Sequence, residues 1–152
     1  MTNTDRFKFR AWDKKEQKML YVNEDDGNFY YKGNENHCPY YDFGDMLKGL
    51  IFGIEDYPEE TDFVLMQCTG LKDKNGNLIY EEDIFYSLDN EEDRYLLKVT
   101  WDDYFGKYRV LDWGGEEFDT LEGMYDFEDL RKLEITGNIY ENPELLEAEG
   151  SE

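Results

Sequence analysis

The sequence predicts a mainly β fold of the β-rich α+β kind: an antiparallel small barrel or bent sheet with one to three short helices. Three observations lead there. Residues 7–22 alternate apolar and polar around a charged turn. Asn75-Gly76 sits between two apolar runs. Residues 95–113 read as a second hairpin with a turn at 102–106. Period-two alternation belongs to half-buried strands, and Asn-Gly between such runs is a strong hairpin signal.

Taken in order, Phe7, Phe9 and Ala11 alternate with Lys8, Arg10 and Trp12, Asp13 to Gln17 supply a turn, and Lys18 to Val22 return. This hairpin gathers Arg6, Lys8, Arg10, Lys14, Lys15 and Lys18, a basic island on an acidic chain. Residues 23–61 are rich in Asn, Asp, Glu, Gly and Tyr and read as a variable excursion, with a short helix over 45–52 weakened by Gly49. Residues 63–141 read as the β-rich core. Phe63 to Cys68 is a nearly continuous apolar run, hence a strand buried on both faces. The Asn-Gly pair predicts a type I′ turn, and Ile84 to Tyr86 form the next strand. In the second hairpin Tyr95, Leu97, Val99 and Trp101 share one face, Tyr108 to Trp113 return, and Gly114-Gly115 end it.

Residues 116–132 are mixed, with a short helix over 127–131 capped by Asp126. Leu133 to Ile135 and Asn138 to Tyr140 read as strand pieces. Asn142-Pro143 opens a last short helix, with Asn as cap and Pro in the first helical position. Residues 1–146 are thus expected to be one domain, and 147–152 a frayed acidic tail. The expected core includes Phe7, Phe9, Leu20, Val64, Met66, Cys68, Ile84, Leu97, Val99, Trp101, Val110 and Ile135.

Composition narrows function. The chain has 152 residues, 38 acidic and 16 basic, for a net charge of −22. Such a surface repels nucleic-acid phosphate and anionic lipid, so neither direct nucleic-acid binding nor membrane binding is expected. Aromatic residues make up 17% of the chain, which supplies a core that disordered acidic chains lack. No apolar run approaches the about 18 residues of a membrane span, and Met1 to Trp12 lack a signal-peptide apolar region. Cytoplasmic localisation is expected, and two cysteines make no disulfide framework.

Three sequence pieces, FKFRAWDKKEQKML (Phe7 to Leu20), QCTGLKDKNGNLIYEEDI (Gln67 to Ile84) and TGNIYENPELL (Thr136 to Leu146), resemble in order and spacing the YopX family of phage and prophage proteins. The resemblance spans nearly the whole chain, least in 23–61. It implies a β-rich fold and a phage or prophage setting in a bacterial host. It brings no catalytic residues to carry over. The family has a glycine before the aspartate of its Tyr-Glu-Gly-Asp-Ile stretch, where this chain has Glu82. The turn is then made with ordinary φ, or with a small strain. The strands from Asp83 onward also resemble part of an SH3-like barrel, a likeness of fold that carries no function.

Chemical motifs are sparse. From Asp73 an EF-hand pattern fails at Leu78 and Ile84, so a hairpin turn is favoured. His37, Cys38 and Cys68 are too few for a structural zinc site, and no metal site is expected. Cys68 in an apolar strand reads as a buried thiol rather than a nucleophile. No nucleotide-cradling or nucleophile-elbow motif is present, so neither a cofactor nor a catalytic residue is assigned. The carboxylate groups at 81–83, 91–93 and 102–103 read as solvated turns.

Aromatic residues in or beside loops are the remaining signal: Tyr30, Tyr31, Tyr40, Tyr41, Tyr104 and Phe105. Either they roof the core or they anchor a protein contact. The expected function is a non-enzymatic interaction or assembly module, with an unidentified protein partner or a second copy as occupant. The alternatives are an acidic DNA mimic that inhibits a host nucleic-acid-binding enzyme, and, less favoured, an enzyme with a carboxylate-based site.

Overall fold

The computed structural model describes residues 8–22, 29–31, 63–86, 96–112, 114–120 and 132–150. Its strands are β1 (Phe9–Asp13), β2 (Lys18–Val22), β3 (Phe29–Tyr31), β4 (Phe63–Lys72), β5 (Leu78–Tyr80), β6 (Asp83–Tyr86), β7 (Leu96–Asp102), β8 (Lys107–Asp112), β9 (Glu117–Thr120) and β10 (Gly137–Asn138); one helix, α1 (Pro143–Gly150), follows. They pair antiparallel in two open sheets, ordered β3-β2-β1-β4-β5 and β10-β6-β7-β8-β9. The fold is mainly β, and neither sheet closes into a barrel among the described residues. By contacts the chain divides into two compact units, 8–67 and 68 onward, with the passage inside β4.

In the first unit β1 lies between β2 and β4, pairing Ala11 with Leu20 on one side and with Leu65 on the other. Ala11, Leu20 and Phe29 form its core, with Val22, Tyr31, Phe63 and Leu65 packed around them. The alternation expected along β1 is absent in burial, because Arg10, Ala11, Trp12 and Asp13 are all buried. Alternation reports burial only where one sheet face is solvated, and this central strand has no such face. The run at Phe63 does the reverse. It was expected to be buried on both faces, yet Met66, Cys68 and Gly70 are buried while Phe63, Val64, Leu65 and Gln67 are half-buried. Phe9 is half-buried as well, and Phe7 lies outside the described residues.

The second unit is built on the β6-β7-β8 meander, with Phe85 opposite Leu97 and Val99 opposite Val110. Its core is Ile79, Phe85, Leu97, Val99, Val110 and Leu133, with Leu71, Tyr108 and Ile135 against it. β4 reaches β5 through a register shift between Cys68 and Lys72. There Thr69 Oγ1 donates to the Ile79 carbonyl at 2.8 Å and accepts the Leu71 N–H at 3.1 Å, so the shift leaves these groups bonded.

The Asn-Gly hairpin forms, but not as a type I′ turn. Gly76 has φ +81, whereas Asn75 is not among the positive-φ residues. The Gly76 N–H donates to the Asp73 carbonyl at 3.1 Å and the Asp73 N–H to the Asn77 carbonyl at 2.9 Å. The Asp73 carboxylate accepts the Asn75 and Asn77 N–H groups, both at 2.9 Å. This acid stabilises a right-handed turn that closes through one left-handed glycine, so Asn75 is spared positive φ.

Leu133 to Ile135 is not a strand: the Lys74 N–H bonds the Leu133 carbonyl, and Asp73 takes the Ile135 N–H. Of Asn138 to Tyr140, only Asn138 is in a strand, β10, and the other two are in a turn. β9 is a strand inside the segment read as mixed. Trp101, expected in the core, is 43% exposed, because β7 runs past the core toward the hairpin end. Pro143 does open α1, which continues through Glu147 to Gly150. Asn142 Oδ1 accepts the Asn138 N–H at 3.2 Å rather than one from the helix. The helices expected over 45–52 and 127–131 lie outside the described residues.

Candidate interaction site on the β7–β8 hairpin

Asp102 ends β7 and organises the turn to β8. Its Oδ1 accepts the Tyr104 and Phe105 N–H groups at 2.9 and 3.1 Å, and the Gly106 N–H donates to its carbonyl at 2.8 Å. Gly106 closes the loop with φ +61. Arg109 on β8 bonds Asp102 Oδ2 at 2.7 Å and also pairs with Glu117 on β9. The Phe105 N–H pulls the Asp102 carboxyl below its usual range against its desolvation, and Arg109 and the Tyr104 N–H add to that pull. The acid therefore stays ionised and holds the turn across the neutral range.

This turn lifts two aromatic side chains into solvent. Tyr104 is 88% exposed and Phe105 66%. Their rings meet edge to face at 4.8 Å, and Lys107 Nζ lies 5.3 Å from the Phe105 ring centre. Just behind them Trp101 and Tyr108, cross-strand partners, meet edge to face at 4.9 Å. The Tyr108 hydroxyl is buried without a hydrogen-bond partner. Burial, with the charges of Glu81 and Cys68, pushes its ionisation above the usual phenol range.

The β1–β2 turn uses the same chemistry with different side chains. Asp13 Oδ1 accepts the Lys15 and Glu16 N–H groups, both at 3.0 Å. The Gln17 N–H donates to the Asp13 carbonyl at 2.8 Å, and Gln17 has φ +56. The positions held by Tyr104 and Phe105 are here Lys15 and Glu16. The loop conformation thus needs the aspartate and a left-handed fifth residue, and it needs no aromatic at its tip.

The other sequence candidates sit differently. Tyr30 and Tyr31 lie half-buried in β3. The Tyr30 ring is 6.2 Å from that of Tyr21. The Tyr31 hydroxyl donates to Asp13 Oδ2 at 2.9 Å, and Lys18 Nζ lies 5.3 Å from its ring centre. Tyr40 and Tyr41 lie outside the described residues, as do His37 and Cys38. Trp101 was missed as a site residue because its alternation assigned it to the core. Its place at the solvent end of β7 is set by hairpin length.

Several of the described acids hold backbone or pair with a basic side chain. Asp83 is buried and accepts the Tyr80 N–H at 2.8 Å. Glu82 pairs with Lys98 at 3.4 Å, and Asp112 Oδ1 accepts the Glu116 N–H at 2.9 Å. Among the described residues, no three His, Cys, Asp or Glu side chains gather in a way that could hold a metal ion, and no helix is long and apolar enough to cross a membrane.

Comparison with known proteins adds the lineage. No curated protein matches the chain. A solved structure, that of protein EF1440 from Enterococcus faecalis, is similar to it with a TM-score of 0.53 and 25% identity, over 91% of this chain and 96% of that one. The family model of the YopX protein matches residues 8–147, nearly the whole length, so the chain belongs to the YopX family.

Proposed function

We propose that this member of the YopX family is a non-enzymatic phage or prophage accessory protein that works as an interaction or assembly module, with the β7–β8 hairpin tip as its contact. One observation supports this above others: Tyr104 and Phe105 stand exposed on a turn whose twin in the same chain carries Lys15 and Glu16 instead. Exposed large apolar side chains lower solubility, and aromatics on a preorganised support are the residues that carry binding energy in protein contacts. The ordered Asp102–Arg109–Glu117 network lowers the entropic cost of binding at the tip.

The test is site-specific photocrosslinking in the bacterial host, with a photoreactive phenylalanine at position 104 or, as control, at position 15. A discrete crosslinked protein from position 104, lost with Phe105→Ser and not formed from position 15, is the expected result. Equal or absent crosslinking at the two positions would overturn the reading.

A further inference from the structure

Asn75-Gly76 is the only Asn-Gly pair in the chain. This pair is the most reactive setting for an asparagine side chain. The backbone nitrogen of the following residue can attack the side-chain amide, and glycine has no Cβ to block the approach. Both residues are exposed at the β4–β5 turn. A Cβ on Gly76 would meet nothing within 4 Å, so this side of the turn is open.

The chemistry needs only water. The Gly76 nitrogen attacks Asn75 Cγ, a nitrogen–carbon bond forms, and the Cγ–Nδ2 bond breaks. Nδ2 leaves as ammonia, taking up the proton that the Gly76 nitrogen gives up, and a cyclic succinimide remains. Water then opens the ring. Addition at Cγ gives an aspartate. Addition at the main-chain carbonyl gives an isoaspartate, whose backbone runs on through Cβ and Cγ. Nothing is oxidised or reduced.

The closed turn resists the first step. The attacking nitrogen is the one whose N–H donates to the Asp73 carbonyl at 3.1 Å. Asp73 Oδ1 accepts the Asn75 and Asn77 N–H groups, both at 2.9 Å, and so fixes the backbone on either side of Gly76. The carboxylate's charge also disfavours loss of the Gly76 amide proton. The turn therefore has to open before the ring can close, and the Asp73 bonds set how often it opens.

We propose that Asn75 is a site of spontaneous deamidation whose rate Asp73 sets by holding the turn closed. The product acts on the fold. An isoaspartate puts an extra carbon into a backbone in which the Asp73 N–H reaches the Asn77 carbonyl at 2.9 Å. The same turn brings the Lys74 N–H to the Leu133 carbonyl at 2.9 Å and the Asp73 carboxylate to the Ile135 N–H at 3.1 Å. Modification slackens the tie that seats Leu133, so the second unit ages from a defined point.

The test incubates the full chain folded at neutral pH, and in parallel in urea. Each sample is then digested, and residue 75 is read by mass spectrometry as asparagine, aspartate or isoaspartate. Folded wild type is expected to convert, more slowly than the chain in urea. Asp73→Ala should convert roughly ten- to a hundredfold faster than wild type, the worth of one hydrogen bond to a charged group. Asp73→Asn, with a neutral acceptor, serves should the alanine variant misfold, and should move the rate the same way by a smaller factor. Gly137→Ala weakens the unit away from this turn and should leave the rate near that of wild type. Modified chains, separated by their added charge on ion exchange, should unfold at lower urea than unmodified ones.

No conversion in the folded chain, with or without conversion in urea, overturns the site. Equal rates in wild type and the Asp73 variants overturn the role of Asp73. So does a Gly137→Ala chain that speeds up as much as Asp73→Ala, because global unfolding then sets the rate. Modified chains as stable as unmodified ones overturn the effect on the fold.

Discussion

Asp73 and Ile135 lie 62 residues apart in sequence and are joined by one hydrogen bond, from the Ile135 N–H to Asp73 Oδ2 at 3.1 Å. The same carboxylate bonds the Asn75 and Asn77 N–H groups, and Lys74 pairs with Glu134 at 3.0 Å alongside. One buried acid therefore shapes the β4–β5 turn and ties the 133–135 segment to it, which seats Leu133 in the core. Asp73→Ala is expected to cost about 2–4 kcal/mol in urea unfolding, since it leaves several backbone donors without their charged acceptor.

Acid should unmask the same contribution. Burial resists ionisation of Asp73, but the N–H groups of Ile135, Asn77 and Asn75 outweigh it and hold its carboxyl below the ordinary value of 3.8. A depressed carboxyl stabilises the fold fully above its unfolded value and loses that contribution as pH falls through the folded one. The stability gap between wild type and Asp73→Asn is therefore expected to be constant from about pH 7 to about pH 5 and to shrink below about pH 4. A gap that widens in acid would contradict this.

Glu82 holds φ +68 where the family has glycine. Its backbone cannot relax, because its N–H bonds the Val99 carbonyl at 2.9 Å and its carbonyl takes the Ile139 N–H at 3.2 Å. Left-handed backbone costs an L-residue about 1–2 kcal/mol, and glycine returns part of that relief through its freer unfolded state. Glu82→Gly is expected to raise stability by about 0.5–1 kcal/mol, with only a small loss from the partly exposed Lys98 pair. Glu82→Ala, which keeps the strain and loses the pair, should give no gain in thermal unfolding.

The position of the Glu82 strain was legible, because glycine and left-handed backbone are tied by sterics and a departure from the family pattern marks a definite turn; the sequence leaves ordinary φ or strain open there, and the φ of +68 decides it. The hairpins at Asp13 and Asp102 were legible for a similar reason: strand alternation and turn residues are local signals. Leu133 to Ile135 was not, because its backbone is satisfied by a side chain 62 residues away. The exposure of Tyr104 and Phe105 could be named only as one of two options. Local sequence makes them turn residues, while the distance from turn to core depends on how far β7 and β8 pair past it.

Gly137 is set by a close approach. A Cβ there would run into the Asn142 side chain. Asn142 Oδ1 accepts the Asn138 N–H at 3.2 Å, and Asn138 Oδ1 in turn accepts the Tyr140 and Glu141 N–H groups at 3.0 and 2.9 Å. Gly137→Ala must push Asn142 aside and release its bond. It is expected to cost about 1–3 kcal/mol in denaturant unfolding. The double variant Gly137→Ala with Asn142→Ala should cost less than the sum of the two single changes, because the clash disappears with the side chain.

The tip separates fold from contact, and stability measurements should show it. The turn is held by the Asp102 carboxylate and by Gly106 at φ +61, whereas Tyr104 and Phe105 meet solvent. Their mutual ring contact and the Lys107 amine above Phe105 are exposed, and such contacts add little to folding. Tyr104→Ser combined with Phe105→Ser is therefore expected to shift unfolding by no more than about 0.5 kcal/mol. Gly106→Ala, forced into left-handed backbone with open space around its Cβ, should cost about 1 kcal/mol through backbone strain. A large loss from the serine pair would mean that the aromatics serve the fold, and their exposure would then cease to argue for a contact.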